Sequence, residues 1–141
     1  MRAKKETKKS VSDYNIIKKS PSKVQSRNYV IEKFSVRKDR ISYLNKIGYS
    51  DHEIYELVVN PRTLGRRKNT LTLDESDKVQ RLERVLKHAI RVLGESEKAN
   101  RWLRKPNRAL DGSIPIELLI SETGARQVEE ILGRIEHGMF S

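Results

Sequence analysis

Residues 72–94 read TLDESDKVQRLERVLKHAIRVLG, and this stretch decides the fold class. Thr72 and Glu75 form a capping box, which satisfies two backbone donors at a helix start. Val79, Leu82, Val85, Leu86, Ala89, Ile90 and Leu93 then fall on one helical face. Gly94 follows as the C-terminal stop, so the spacing predicts an amphipathic helix of about five turns. Beyond it, Ser96 caps a shorter helix carrying Ala99, Trp102 and Leu103, and Pro106 stops that helix. Asn107 to Gly112 is a loop around Leu110. Ser113 and Pro115 open a short helix with Ile116, Leu118, Leu119 and Ile120. A last helix carries Ala125, Val128, Ile131, Leu132 and Ile135 and ends at His137-Gly138, leaving the tail Met139-Phe140-Ser141.

Upstream, Ile41, Leu44 and Ile47 share one helical face, and Gly48 ends that helix. Ser50 with Glu53 is another capping box, opening a helix with Ile54, Leu57 and Val58 inward. Asn60-Pro61 then supplies an N-cap and a first-turn proline. The third helix, Pro61 to Lys68, carries Arg62, Arg66, Arg67 and Lys68, with Leu64 as its inward anchor. Three helices in quick succession, the last short and basic, are what a helix-turn-helix needs. Arg62 and Thr63 lie in the first turn, where base edges are reached, and Arg66 and Arg67 lie one turn later, in reach of phosphates or a guanine, with Lys68 following. The competing reading is a solvated basic helix in a linker. Two features count against the motif: the turn Val58-Val59-Asn60 is short and lacks glycine, and Gly65 costs the helix about 1 kcal/mol relative to alanine.

Charge divides the chain. The 141 residues hold 30 Lys/Arg and 19 Asp/Glu, a net charge of +11, with 35% hydrophobic residues and no cysteine. The whole basic excess lies between Met1 and Thr72, while Leu73 to Ser141 is neutral. A basic half joined to a neutral one suggests a polyanion-binding part and a part with another task; nucleic acid fits better than a membrane surface, because the basic stretch has no continuous apolar face. Residues 1–27, rich in Lys and Ser, bury too little to offset their ordering entropy and read as a disordered basic arm. The arm is either a solvated tail or a non-specific phosphate tether. Ordered structure is expected from about Asn28. The absence of cysteine rules out a disulfide scaffold and any cysteine-ligated metal site. No apolar run has the length of a membrane span, and no apolar stretch follows the basic start as a signal peptide requires.

Catalytic constellations are missing. His52, His88 and His137 lie far apart without ligand spacing; His88 reads as a surface residue beside Lys87, and His137 as a complement to a helix C-terminus. Asp74-Glu75-Asp77 and Glu129-Glu130 read as solvated faces. There is no phosphate-binding glycine loop and no nucleophile with a base at recognisable spacing. The expectation is a non-enzyme that needs no metal or cofactor.

The same residues add up to a resemblance. Asn60-Pro61-Arg62-Thr63-Leu64-Gly65-Arg66-Arg67-Lys68 resembles the recognition-helix segment of the Xre-type antitoxins of bacterial RES–Xre toxin–antitoxin systems (the Xre/MbcA/ParS group). Leu73-Asp74-Glu75-Ser76-Asp77 resembles the junction that follows it. Ala99 to Gly112 resembles the family's signature, with Trp102, Leu103, Pro106, Asn107, Leu110 and Gly112 at the matching places. Gly124 to Glu129 and Arg134 to Gly138 are similar to its closing motifs. The likeness spans about Ile41 to Ser141 and leaves residues 1–40 uncovered.

The resemblance implies an all-α fold and a function. Such antitoxins bind a RES-domain toxin that consumes NAD, encoded by the adjacent gene. Their C-terminal domain covers the toxin with its end at the NAD pocket, and their N-terminal domain binds the operon's own promoter DNA as a repressor. They commonly form homodimers and work in the cytoplasm. Together with the disordered arm read from composition over 1–27, the expected architecture is a helix-turn-helix domain over 28–71 and a helical toxin-binding and dimerisation domain over 72–141. Arg62, Thr63, Arg66, Arg67 and Lys68 are then the DNA-contact residues, and Trp102, Pro106, Asn107, Gly138, Met139, Phe140 and Ser141 the toxin-contact residues. Plainer readings stand beside these. Trp102 can be core filler beneath its loop, Pro106 and Asn107 can simply end a helix, and the tail can be a frayed terminus. The rival function is a stand-alone helix-turn-helix regulator without a toxin partner. The neutral half has about 20 apolar side chains in roughly 70 residues, which is marginal for independent stability.

Overall fold

A computed structural model describes residues 23–138. The described residues divide into two units at 33/34. The described residues contain eight α-helices and no strand: α1 Lys23–Phe34, α2 Arg40–Ile47, α3 Asp51–Leu57, α4 Pro61–Arg66, α5 Leu73–Leu93, α6 Ser96–Leu103, α7 Pro115–Leu118 and α8 Glu122–Glu136. A 3₁₀ turn, Arg108–Leu110, links α6 to α7.

Helix α1 corrects part of the sequence reading. Lys23 to Arg27, assigned above to a disordered arm, are helical, and the rest of that arm lies outside the described residues. None of the residues of α1 is buried.

The starts of α3, α4 and α5 follow their local signals, whereas Ser96 does not cap α6: it is the first residue of the helix, and Glu95 before it makes no side-chain cap bond. Ser50–Glu53 and Thr72–Glu75 form complete capping boxes. The Asn60 side chain accepts from the Thr63 amide at 2.8 Å, with Pro61 in the first turn. Gly94 closes α5 in the left-handed region, at φ 84°. Helix α4 is shorter than expected: it ends at Arg66, because Arg67 turns to extended backbone and Lys68 lies beyond it.

Residues 34–138 share one hydrophobic core. Leu44 and Ile54 from α2 and α3 join Leu82 and Leu86 of α5, Leu103 of α6, Leu119 just after α7 and Leu132 of α8 in a single buried cluster. The boundary expected at 71/72 therefore falls inside one unit, and the C-terminal half completes its core with the helices before it. Polar ties cross the same boundary. The Tyr49 hydroxyl donates to the Leu82 carbonyl at 2.8 Å, and burial pushes its pKa up. Arg40 pairs with the buried Glu83, and its guanidinium lies over the Tyr43 ring, 4.9 Å from the centroid. Arg104, at the end of α6, reaches Glu53 through two bonds of 2.8 Å and the Gly48 carbonyl through another of 2.8 Å.

These pairs set the pH dependence of stability. Glu53, Glu75 and Glu122 are each desolvated, which raises a carboxyl pKa, but bonds from Arg104, Arg67, and Arg81 with Arg84 outweigh this and hold all three below the ordinary value of 4.5. A carboxyl depressed in the folded state stabilises above its unfolded pKa, and that stability is lost as pH falls through the folded value. The urea midpoint is therefore expected to be flat from neutrality down to about pH 5 and to fall steadily below it. Glu53→Gln should lower the neutral plateau and make the acid slope shallower. An unchanged slope would remove the Glu53–Arg104 pair from the stability account.

Candidate functional site

Two surfaces hold the candidate functional residues. The first is α4 and the link after it. Arg62, Arg66 and Lys68 are exposed, and no carboxylate lies within ion-pair distance of them among the described residues. Thr63 is half-buried, its amide held by Asn60.

Arg67 behaves differently. Its guanidinium donates to both oxygens of Glu75, the shortest bond being 2.7 Å. Glu75 is 5% exposed, so Arg67 is the counter-ion of a buried carboxylate and is not free for a phosphate. The reading of Asp74-Glu75-Asp77 as a solvated face fails at Glu75 for the same reason. Arg67 lies eight residues before Glu75, a separation that helical periodicity does not connect.

Sequence reasoning missed Arg37 and Lys38. An antiparallel bridge joins Arg37 to Thr70, and the Lys38 amide donates to the Asn69 carbonyl at 2.9 Å. This brings both cations beside Lys68, around a groove of about 410 Å³ next to Leu64. Lys38 Nζ also donates to the Arg67 carbonyl at 3.0 Å, which fixes the backbone leaving α4. Nothing in the local sequence signals a pairing across some thirty residues.

The second surface is the C-terminal half. Helix α5 forms its spine, with α6 and α8 packed on it. Trp102 is half-buried against the core. Pro106 is exposed. Asn107 shapes the turn that follows: its side chain accepts from the Ala109 amide at 2.9 Å, and its carbonyl accepts from Leu110 and Gly112. A groove of about 270 Å³ lies between this turn and α8, with Asp111, Gln127 and Glu130 on its walls. Helix α8 begins close to the end of α7, where Gly124 lets its backbone approach the Leu118 carbonyl.

The fifty-one residues from 88 to 138 match the family described as Antitoxin Xre/MbcA/ParS C-terminal toxin-binding domain. Residues 88–138 are thus similar to an Xre-type antitoxin domain. Curated relatives agree. An antitoxin Xre of Photorhabdus laumondii is 39% identical over 84 residues, 57% of each chain. One of Pseudomonas putida is 42% identical over 72 residues, 51% of this chain and 45% of the relative. A third, of Yersinia enterocolitica, is 38% identical over 84 residues, again 57% of each chain. The chain thus spans about half the length of the curated relatives it matches.

Trp102, Pro106, Asn107 and Gly138 all lie within the matched antitoxin domain. Gly138 is exposed at its end with φ 71°, and Met139, Phe140 and Ser141 lie outside the described residues. His88, at the start of the domain, is not the surface residue expected. Its Nε2 is buried without a hydrogen bond and stands 3.7 Å from a Glu136 oxygen, because α8 packs over that side of α5. Among the described residues no cluster of His, Asp and Glu could hold a metal ion, and no helix is long and apolar enough to cross a membrane.

Proposed function

We propose that this chain is an antitoxin that neutralises a RES-domain, NAD-consuming toxin and represses its own operon. The observation that carries this reading is the match of residues 88–138 to a toxin-binding domain. In this account the C-terminal half covers the toxin, with Trp102, Pro106 and Asn107 at the interface and Gly138 to Ser141 closing the NAD pocket. Helices α2 to α4 form a helix-turn-helix, with α4 entering the major groove of the promoter. Arg62, Thr63, Arg66 and Lys68 contact DNA there, and Arg67 holds the motif to α5. A homodimer presents two such helices to two half-sites. The protein works in the cytoplasm, without a cofactor.

The exposed cations on α4 and the link after it also favour a second reading, a stand-alone DNA-binding regulator. Purified full-length protein, titrated into the RES toxin of its operon, separates the two. The expected result is that NAD consumption stops at stoichiometric addition, and that deleting Met139 to Ser141 restores it without abolishing the complex. NAD consumption unaltered by the full chain would overturn the antitoxin reading and leave the regulator.

A further inference from the structure

The cations of the C-terminal half are almost all spoken for. Of the twelve Lys and Arg between residues 73 and 141, nine stand within 4.0 Å of a carboxylate, from Lys78 beside Asp74 to Arg134 beside Glu130. The three others are Arg101, Lys105 and Arg108. They are exposed, have no carboxylate partner among the described residues, and fall within eight consecutive positions at the end of α6 and the 3₁₀ turn. Arg104, between them, turns inward to Glu53 and Gly48, so the fold uses one cation of the segment and leaves its neighbours outward.

We infer that Arg101, Lys105 and Arg108 form a docking surface for an acidic patch on the toxin. The inference rests on the proposed antitoxin function and adds where, and by what chemistry, the partner is first engaged. Exposed charge that a protein does not answer internally costs the free chain little and attracts the opposite sign at range. Arg101 and Lys105 line one shallow groove of about 350 Å³, walled largely by apolar side-chain surface. Long basic side chains with apolar stems and charged tips suit a protein interface, whose rim is polar and whose floor is not. Glu97 lines the same groove. Glu97 leaves the patch net positive but of mixed sign, which fits the discrete charges of a protein surface better than the uniform charge of a nucleic acid. Charge complementarity thus commits the patch to a mainly acidic protein surface.

The test uses the full chain, the RES toxin of its operon and a short promoter duplex. The triple reversal Arg101→Glu, Lys105→Glu, Arg108→Glu should slow association with the toxin at least tenfold at about 50 mM salt, with rates converging at high salt. The neutral triple to glutamine should fall between, and Arg126→Glu, whose charge is already answered by Glu122 at 3.9 Å, should stay within about twofold of the unmodified rate. Duplex affinity should be unchanged. An unchanged association rate in the reversal, with the unmodified chain still binding the toxin, overturns this inference and leaves the proposed function standing. Loss of duplex affinity without slower toxin association also overturns it and makes the patch a nucleic-acid surface. If the unmodified chain does not bind the toxin, the proposed function itself fails, and this inference with it.

Discussion

Gly124→Ala is expected to lower the unfolding temperature by about 10 °C, the equivalent of about 3 kcal/mol in a unit of this size. A Cβ at this position would overlap the Leu118 carbonyl oxygen and sit 2.9 Å from its carbon. Both are backbone atoms, so no rotamer change relieves the overlap. Helix α8 must back away from α7, and Ala125, Val128 and Leu132 lose packing against the core as it does. The Gly124 amide also donates to Ser121 Oγ at 2.9 Å, so the same shift loosens the N-cap of α8. Gly133, on the same helix, makes a clean control. Nothing lies within 4 Å of a Cβ placed there. Gly133→Ala should raise stability by about 0.5–1 kcal/mol through helix propensity. Thermal melts of both variants check the pair, and equal melting temperatures would refute the close approach.

A second large effect is expected in DNA binding. Replacing Arg62, Arg66 and Lys68 together by alanine should weaken binding to a promoter duplex about 100-fold near 0.1 M salt. The salt slope should fall by about 0.9 for each phosphate no longer neutralised, so by up to about 2.7. Stability should hold, since none of the three side chains pairs with a carboxylate among the described residues. Arg67→Ala should show the opposite pattern. It strips the cation from Glu75, which is buried, so the urea midpoint falls and binding suffers only through the loosened link after α4. Fluorescence anisotropy across a salt series, beside urea melts of the same variants, separates the two roles. If Arg67→Ala alone reduces the salt slope while leaving stability intact, its assignment to the fold is wrong.

Local chemistry is what the chain makes legible. The capping boxes at Ser50 and Thr72, the Asn60-Pro61 start and the stop at Gly94 depend on neighbours within one turn, and all of them are present in the structure. The apolar face of α5 follows from its periodicity. What depends on tertiary packing is not legible. Arg66 and Arg67 are adjacent, identical in type, and equally basic on paper. Only the fold decides that Arg67 faces the buried Glu75 while Arg66 faces solvent. His88 reads as surface beside Lys87 until α8 is laid across α5. Arg37 and Lys38 gain their place beside Lys68 through a backbone pairing that no motif marks. A division at 71/72 follows the charge boundary, whereas the core ignores charge and runs through it.

Helix α1 is a case of a different kind. Lys23 to Phe34 buries no residue, and Val24 is 69% exposed. Composition shows that such a segment buries little, but a helix needs no buried face to form, so Lys23 to Arg27 are helical where disorder is expected.

The most direct measurement is cellular NAD during co-expression with the RES toxin encoded beside this chain. The toxin alone should drain NAD, and the full chain should restore it. Restoration should survive alanine at Arg62, Arg66 and Lys68 and should weaken when Met139 to Ser141 are removed. NAD that stays depleted in the presence of the folded chain would mean that this protein does not neutralise the toxin.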